Sequence, residues 1–259
     1  MSSRTLARPL EGKNILVTGI ADEKSIAWGC AKAFHDMGAS LAVTYRNDRD
    51  RDAVGALAER LEALCLPLDV MVDGQMKAVF DRLSTHFGVL HSALHSIAFA
   101  PKADLHGSLT DCSRAGFLKA MDCSCFSFIE MAHHAAPLMT SGGTLFTMSY
   151  HGAHRVTENY NVMGPVKAAL ESSMRYLAHE LGRQGIRVHA ISPGPIRTRA
   201  ASGIADFEDM ANDAEQRAPA GAMAGIEDVG YATAMLAVDS ARMLTGSTVY
   251  VDGGAHIMN

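Results

Sequence analysis

The sequence predicts an α/β fold in which a parallel sheet lies between two layers of helices. Short apolar runs alternate along the 259 residues with segments whose apolar side chains recur at helical spacing. Short apolar strands, each followed by a helix, are typical of a parallel sheet that is buried on both faces. The composition, 48% hydrophobic and 20% charged, is that of a globular protein. No linker rich in Pro, Gly or Ser divides the chain, so we expect a single domain over residues 1–259.

The predicted strands are short apolar runs, the first of which stops at Gly19. They cover residues 14–18, 40–45, 64–68, 90–97, 143–149, 186–191 and 248–251. The predicted helices have apolar residues every three or four positions, and Gly38 is a natural C-cap for the first. They cover residues 25–37, 51–61, 72–87, 162–181, 207–217 and 226–237, with one long helix within 113–139. This alternation predicts a Rossmann-type, doubly wound sheet of about seven strands.

Charge and apolar patterning exclude several classes of partner. The chain has 23 Lys and Arg against 28 Asp and Glu, a net charge of −5, so no basic surface predicts binding to nucleic acid. No run of about 18 apolar residues predicts a membrane span. The first ten residues lack the apolar centre of a secretory signal, and five cysteines favour a reducing compartment. We therefore expect a cytoplasmic protein.

Potential metal ligands occur only in pairs. The pairs are His91 with His95, Cys123 with Cys125, and His133 with His134. None has a third and fourth ligand at the spacing that zinc sites use, so we expect no metal.

The turn after the first strand is the place where such a sheet binds a dinucleotide. It lacks the Gly-x-Gly-x-x-Gly pattern, since only Gly19 and Gly29 remain, and Ser25 stands at the start of the helix. Gly19 allows a sharp turn, Ser25 can cap the helix, and the free N–H groups there can hold a pyrophosphate. An ordinary strand–helix turn explains these residues equally well when they are taken alone.

Two further positions suit the same ligand. Asp69 follows the third strand, where its carboxylate could accept a hydrogen bond from an adenine amino group or cap the next helix. The turn over residues 192–198 could offer backbone groups to a carboxamide and Thr198 to a phosphate. Its alternative interpretation is a plain Pro/Gly turn.

Tyr160 and Lys167 carry the strongest chemical pattern. Positions seven apart lie on one face of a helix, so we expect both side chains to point toward the mouth of the sheet. A cationic amine beside a phenol lowers the pKa of the phenol, which suits proton donation near neutral pH. Tyr150, at the end of the fifth strand, is expected in the same cleft. For the pair alone, a surface lysine and a packed tyrosine are the alternative.

Together these residues resemble a known family. They comprise Gly19 with the displaced Ser25-Ile26 pair, the run at 95–101, Tyr160 with Lys167 after six residues, and the turn at 193–198. The chain is thus similar, from about residue 10 to 257, to the enoyl-acyl-carrier-protein reductases, a divergent branch of the short-chain dehydrogenase/reductases. Ordinary members of that superfamily have Tyr-x3-Lys, but Gly164 stands at that position here.

The resemblance implies an oxidoreductase of fatty-acid synthesis, in which a nicotinamide cofactor delivers hydride to a trans-2-enoyl thioester. Tyr160 would donate to the thioester carbonyl oxygen, Lys167 would hold the nicotinamide ribose, and Tyr150 would be a second active-site tyrosine. The cofactor contacts implied are Gly19, Ser25, Ile26, Arg46, Asp69, Val70, Ile97, Lys167, Ile196, Thr198 and Ala200. The substrate contacts implied are Ala100, Met163, Ala201, Ile204 and Phe207. The thioester would be carried by acyl carrier protein or coenzyme A, and the enzyme would be a homotetramer.

A lid is also expected. Residues 200–217 follow a Pro/Gly turn and lie where the family places the segment that covers the acyl chain. We expect this segment to be mobile without ligand and to become ordered over bound substrate or inhibitor.

The chain departs from the family pattern at several places. Thr157-Glu158 precede the Asn-Tyr pair where the family has Pro, and His151 replaces a commonly apolar residue. Pro165 lies between Tyr160 and Lys167, and a proline inside a helix costs about 3 kcal/mol or more. The helix therefore either begins late enough to hold Pro165 in its first turn or is kinked.

The cofactor and the reaction each leave an alternative. Arg46 stands at the tip of the second strand, where a guanidinium can receive the 2′-phosphate of NADPH, whereas Asp48 would oppose it. Because many relatives use NADH, we expect NADH, with NADPH as the alternative. The rival functions are a 3-oxoacyl reductase on the same fold, against which the Tyr–Lys spacing argues, and a non-catalytic dinucleotide-binding protein, against which the two tyrosines and Lys167 argue.

Overall fold

A single sheet of seven parallel strands forms the centre of the molecule. The computed structural model describes residues 8–199, 201 and 206–258. The strands are β1 (Asn14–Thr18), β2 (Ser40–Tyr45), β3 (Leu64–Pro67), β4 (Ser92–His95), β5 (Gly143–Met148), β6 (Ile186–Pro193) and β7 (Ser247–Val251). Their order is β3-β2-β1-β4-β5-β6-β7, which confirms the predicted Rossmann-type sheet. The order reverses between β1 and β4, so the carboxyl ends of these two strands border the crevice where such sheets bind ligands.

Helices cover both faces of the sheet. They are α1 (Ile26–Asp36), α2 (Asp48–Arg60), α3 (Gln75–Phe87), α4 (Lys102–Leu105), α5 (Arg114–Met121), α6 (Ser127–Ala135), α7 (Met163–Leu181), α8 (Phe207–Arg217) and α9 (Ile226–Ala237). One apolar core lies between the sheet and α3, α6 and α7, and the other lies between the sheet and α1, α2 and α9. None of the helices in the described ranges is long and apolar enough to cross a membrane.

Glycines bring α1 and α9 into close contact. A Cβ on Gly29 would lie 2.2 Å from the carbonyl oxygen of Ile226, and one on Gly230 would lie 2.3 Å from that of Gly29. Gly29, the second glycine of the first strand–helix unit, therefore serves helix packing. A side chain at either position would force the two backbones apart.

The long helix predicted within residues 113–139 is present over residues 114–135, but a π-helical turn divides it. A π-helical turn, Asp122–Phe126, separates α5 from α6. Within it, the Ser124 hydroxyl accepts from the backbone N–H of Phe99 (2.9 Å) and donates to the carbonyl of Phe99 (3.1 Å). This contact attaches the segment after β4 to the π-helical turn. Helical periodicity in the sequence does not predict such a turn.

Two helix starts also differ from the prediction. Helix α2 begins three residues earlier than expected because the side chain of Asn47 caps it by accepting from Arg49 N–H at 3.0 Å. Helix α3 begins three residues later than expected because Gly74, just before it, has φ of +80°. Local turn chemistry decides both boundaries.

Candidate active site

The turn after β1 is built from local contacts. Gly19 has φ of +89°, and a Cβ there would lie 2.1 Å from the carbonyl oxygen of Ser96, so only glycine fits. Ser25 caps α1, as predicted: its hydroxyl donates to the Asp22 carbonyl (2.7 Å) and accepts from Trp28 N–H (3.3 Å). The N–H group of Ile26, at the first helical position, has no intrahelical partner and is available to an anion.

Arg60 supports this turn from α2, although it was not among the predicted site residues. Its guanidinium lies 5.0 Å from the ring centroid of Trp28 and forms an ion pair with Glu23. No spacing rule links residue 60 to residue 23. The contact depends on how α2 packs beside α1.

The carboxylate of Asp69 accepts hydrogen bonds from two residues of the protein. One carboxylate oxygen accepts from Met71 N–H at 3.0 Å in the turn before α3. The alternative that Asp69 caps the next helix is wrong, because α3 begins at Gln75 after Gly74 and has no side-chain cap. The other accepts from Arg46 Nε at 3.3 Å. The two candidate cofactor residues thus form an ion pair in which the Arg46 side chain is 61% exposed.

The run at 95–101 leads from β4 into the crevice. His95 is buried, with one ring nitrogen 3.2 Å from Thr147 Oγ1 and the other 2.8 Å from Ser127 Oγ. Burial lowers the pKa of His95 to about 3, with a further contribution from the Lys167 charge, so the ring is neutral. It joins β4 to β5 and α6.

Several apolar candidates belong to the same core as the two tyrosines. Tyr160 and Met163 belong to the core beside α7, and four half-buried residues pack against that core, namely Val70, Ile97, Ala100 and Tyr150. The structure therefore brings predicted cofactor and substrate residues into one apolar cluster.

The expectation that Tyr160 and Lys167 share a helix face is wrong. Helix α7 begins at Met163, and Tyr160 lies in the turn before it. Asn159 and Asn161, on either side of Tyr160, have φ of +61° and +40°, which no α-helix contains. Pro165 consequently falls in the first turn of α7, where a missing N–H costs no hydrogen bond.

The rings of Tyr150 and Tyr160 pack together, with centroids 4.8 Å apart. Gly152 lies against them, because a Cβ there would be 2.5 Å from Cδ1 of Tyr160. The Tyr150 hydroxyl donates to Met210 Sδ of α8 at 3.3 Å. Gly152 was not among the predicted site residues, since its role depends on a ring eight positions away.

Lys167 is buried on α7, and its ammonium donates to the Met148 carbonyl at 2.7 Å. Burial lowers its pKa to about 8, while Cys125, Cys123 and Glu171 oppose that change. Burial raises the pKa of Tyr160, and Tyr150 raises it further. The expected lowering of the tyrosine pKa is therefore wrong for the protein alone, because desolvation outweighs any effect of the amine. The phenol stays protonated.

A buried carboxylate on α7, that of Glu171, was also absent from the predicted site residues. Glu171 lies one turn after Lys167 on α7 and accepts hydrogen bonds from Ser149, His154 and Thr248. It bonds the end of β5, the second residue of β7 and the loop between the tyrosines.

The turn after β6 and helix α8 border a cavity of about 740 Å³. Its lining residues are Asp22, Lys24, Arg197, Thr198, Arg199, Asp206, Phe207, Glu208 and Asp209. Arg197 Nε bonds Glu208 at 3.0 Å, and the Thr198 hydroxyl accepts from Ala201 N–H at 3.1 Å. Ile196 is half-buried against the core beside α1.

Candidate lid residues form a small core of their own. Ala201, Phe207 and Ala211 are buried together, with Met210 packed against them. Ala200 and Ile204 lie outside the described residues. In the part of the chain that is described, no three His, Cys, Asp or Glu side chains are grouped so that they could hold a metal ion.

Comparison with known proteins finds close relatives over almost the whole chain. The family model described as enoyl-(acyl carrier protein) reductase matches residues 19–256. An enoyl-[acyl-carrier-protein] reductase [NADH] of Bacillus cereus is 45% identical over 252 residues, 96% of this chain and 98% of the relative. One from a Nostoc species is 47% identical over 253 residues, with the same shares covered.

Solved structures agree. The Bacillus cereus enoyl-acyl carrier protein reductase with NADP⁺ and indole naphthyridinone has a TM-score of 0.94 at 45% identity, over 96% of this chain and 98% of that one. The Anaplasma phagocytophilum reductase in complex with NAD has a TM-score of 0.95 at 43% identity, over 99% and 98% of the two chains.

Proposed function

The chain belongs to the enoyl-(acyl carrier protein) reductase family, and we propose that it uses NADH to reduce the carbon–carbon double bond of a trans-2-enoyl thioester. It is an oxidoreductase of fatty-acid synthesis. The observation that carries this function is the packed pair of tyrosines that follow β5, together with buried Lys167 of α7, whose ammonium bonds the carbonyl of Met148 at the end of β5.

The residues of the nucleotide end fit a dinucleotide. The Gly19 turn leaves no room for a Cβ, and the start of α1 presents unpaired N–H groups that suit a pyrophosphate. Asp69, Val70, Ile97, Ile196 and Thr198 would contact the cofactor along the same edge. When bound there, NADH supplies the hydride that the β-carbon of the thioester receives.

Tyr160 would act on the carbonyl end of the substrate. Negative charge grows on the thioester oxygen as the β-carbon is reduced, and a protonated phenol can donate a hydrogen bond to that oxygen. The raised pKa of Tyr160 supports this role, because the side chain holds its proton at neutral pH. Tyr150, whose pKa burial raises to about 12, would be a second donor beside it.

Lys167 would hold the nicotinamide ribose. One of the three N–H groups of its ammonium donates to the Met148 carbonyl, which leaves two for ribose hydroxyls. The same positive charge would favour the anionic oxygen that forms nearby.

The acyl chain would lie between the tyrosines and α8. Ala100 and Met163 pack in the core with Tyr160, while Ala201 is buried with Phe207 and Ala211 of α8. We propose that residues 200–217 form the lid of this pocket. The contact of Tyr150 with Met210 supports the placement.

We further propose that the thioester is carried by acyl carrier protein or coenzyme A and that the enzyme is a cytoplasmic homotetramer. Apolar side chains exposed on α5, the π-helical turn and α7 support an oligomer: Leu118 is 59%, Phe126 54% and Tyr176 69% exposed.

The test is NADH oxidation by the purified protein with a short trans-2-enoyl thioester, a 3-oxoacyl thioester in parallel, and NADPH as a second cofactor. We expect turnover with the enoyl thioester. Turnover of the 3-oxoacyl thioester alone would make the protein a carbonyl reductase, and NADH binding without turnover of either would make it a non-catalytic binder.

A further inference from the structure

A buried carboxylate joins four parts of the fold behind the tyrosines. The Glu171 side chain is 1% exposed, and its carboxylate accepts from Ser149 Oγ at 2.5 Å, His154 Nε2 at 2.5 Å and Thr248 Oγ1 at 2.9 Å. A carboxylate without such partners would be costly to bury, so these three donors are what the buried group requires.

Two of the donors border the segment that carries Tyr150 and packs against Tyr160. Ser149 immediately precedes Tyr150, and His154 follows the short helical turn His151–Ala153. This segment includes Gly152, whose backbone lies against the ring of Tyr160. A displacement of residues 150–153 would therefore move both phenol rings.

The same carboxylate also relates the tyrosines to the lysine. Glu171 is four residues after Lys167, so both lie on one face of α7. The ammonium of Lys167 donates to the carbonyl of Met148, the residue before Ser149. Met148, the last residue of β5, therefore bonds Lys167, and Ser149, which follows it, bonds Glu171 one turn later on α7.

From this geometry we infer that Glu171 and His154 are positioning residues, which set Tyr150 and Tyr160 against Lys167 for reduction of the substrate. The inference rests on the proposed function. Both side chains hold the loop beside the tyrosines and not the turn after β1. We therefore expect their loss to lower kcat and to leave cofactor binding unchanged.

His154 gives the cleaner test because its side chain is 48% exposed and its replacement leaves the core intact. His154→Leu removes the donor, whereas His154→Gln keeps an N–H at the end of the side chain. His35→Leu is the matched control, since His35 is 40% exposed and neighbours Asp36 at the end of α1, away from the tyrosines.

We expect His154→Leu to lower kcat for a short 2-enoyl thioester by about tenfold, with the NADH dissociation constant changed by less than about twofold. His154→Gln should recover most of that loss, and His35→Leu should match the unaltered protein. Melting temperatures of all variants identify any loss of folding.

The inference is overturned if kcat of His154→Leu stays within about twofold of the unaltered protein, or if His154→Gln is as slow as His154→Leu. Absence of enoyl reduction by the unaltered protein would instead remove the proposed function, so the two failures are distinguishable.

Discussion

The turn after β1 and the loop after β5 both lead into a helix at the same edge of the sheet, but different contacts hold them. In the first, the Ser25 hydroxyl bonds Asp22 and Trp28, each three residues away. In the second, the Tyr150 hydroxyl reaches Met210, and His154 reaches Glu171. The helix cap at the nucleotide end is therefore local, although Gly19 also lies against Ser96 and Arg60 pairs with Glu23. At the chemical end, both of these side-chain contacts join distant parts of the chain.

The largest difference between the ends should come from Tyr160→Phe. Because the hydroxyl is expected to act mainly in the transition state, we expect kcat to fall by about 10²-fold or more with little change in NADH affinity. Steady-state rates together with an NADH binding titration measure both quantities. An unchanged kcat would remove Tyr160 from the mechanism and place the chemistry elsewhere.

Lys167 is expected to act at both ends, since its ammonium would bind the cofactor ribose and favour the anionic oxygen of the substrate. The pH dependence of kcat/KM should show whether the charged form is required. Burial lowers its pKa to about 8, so the amine is charged below that pH and neutral above it. If the charged form binds the ribose, kcat/KM for NADH falls as pH rises through about 8.

Two variants sharpen this test. Lys167→Ala should weaken NADH binding by about tenfold or more and also lower kcat. Lys167→Arg stays charged throughout and should lose the basic limb of the pH profile. Unaltered NADH affinity in Lys167→Ala would show that Lys167 does not hold the ribose.

The two ends also differ in how far the sequence predicts them. All seven strands, Gly19 and the Ser25 cap were predicted because strand pattern and capping are local properties. The helical placement of Tyr160 was wrong because Asn159 and Asn161 have left-handed backbone conformations, so helix α7 begins only at Met163. The pKa direction of Tyr160 was wrong as well, since burial is a property of the folded chain and not of residue spacing. Glu171 was missed because its three partners are 17, 22 and 77 positions away.

Gly152→Ala tests whether the loop after β5 sets the tyrosine directly. The new methyl group would lie 2.5 Å from the Tyr160 ring, so the ring or the loop must move. We expect kcat to fall by about tenfold, whereas loss of the helix cap in Ser25→Ala at the other end costs about 1 kcal/mol of stability. Gly182→Ala is the control because no atom lies within 4 Å of the added Cβ. Equal kcat values for the two glycine variants would show that the loop tolerates displacement.

The smallest expected effect concerns Arg46 at the nucleotide end. Its guanidinium is paired with Asp69 at 3.3 Å, yet its side chain is 61% exposed and could turn toward a 2′-phosphate. The pairing with Asp69 favours NADH, since NADPH would have to compete with a carboxylate for the same cation. We therefore expect kcat/KM to be higher with NADH, and Arg46→Gln to lower the NADPH value by about threefold while leaving the NADH value unchanged.

The control for loss of one positive charge is Arg49→Gln, because Arg49 is an exposed arginine on the first turn of α2. A kcat/KM at least about tenfold higher with NADPH, a difference of about 1.4 kcal/mol, would contradict the preference for NADH. A loss of that NADPH activity in Arg46→Gln would then identify Arg46 as its cause.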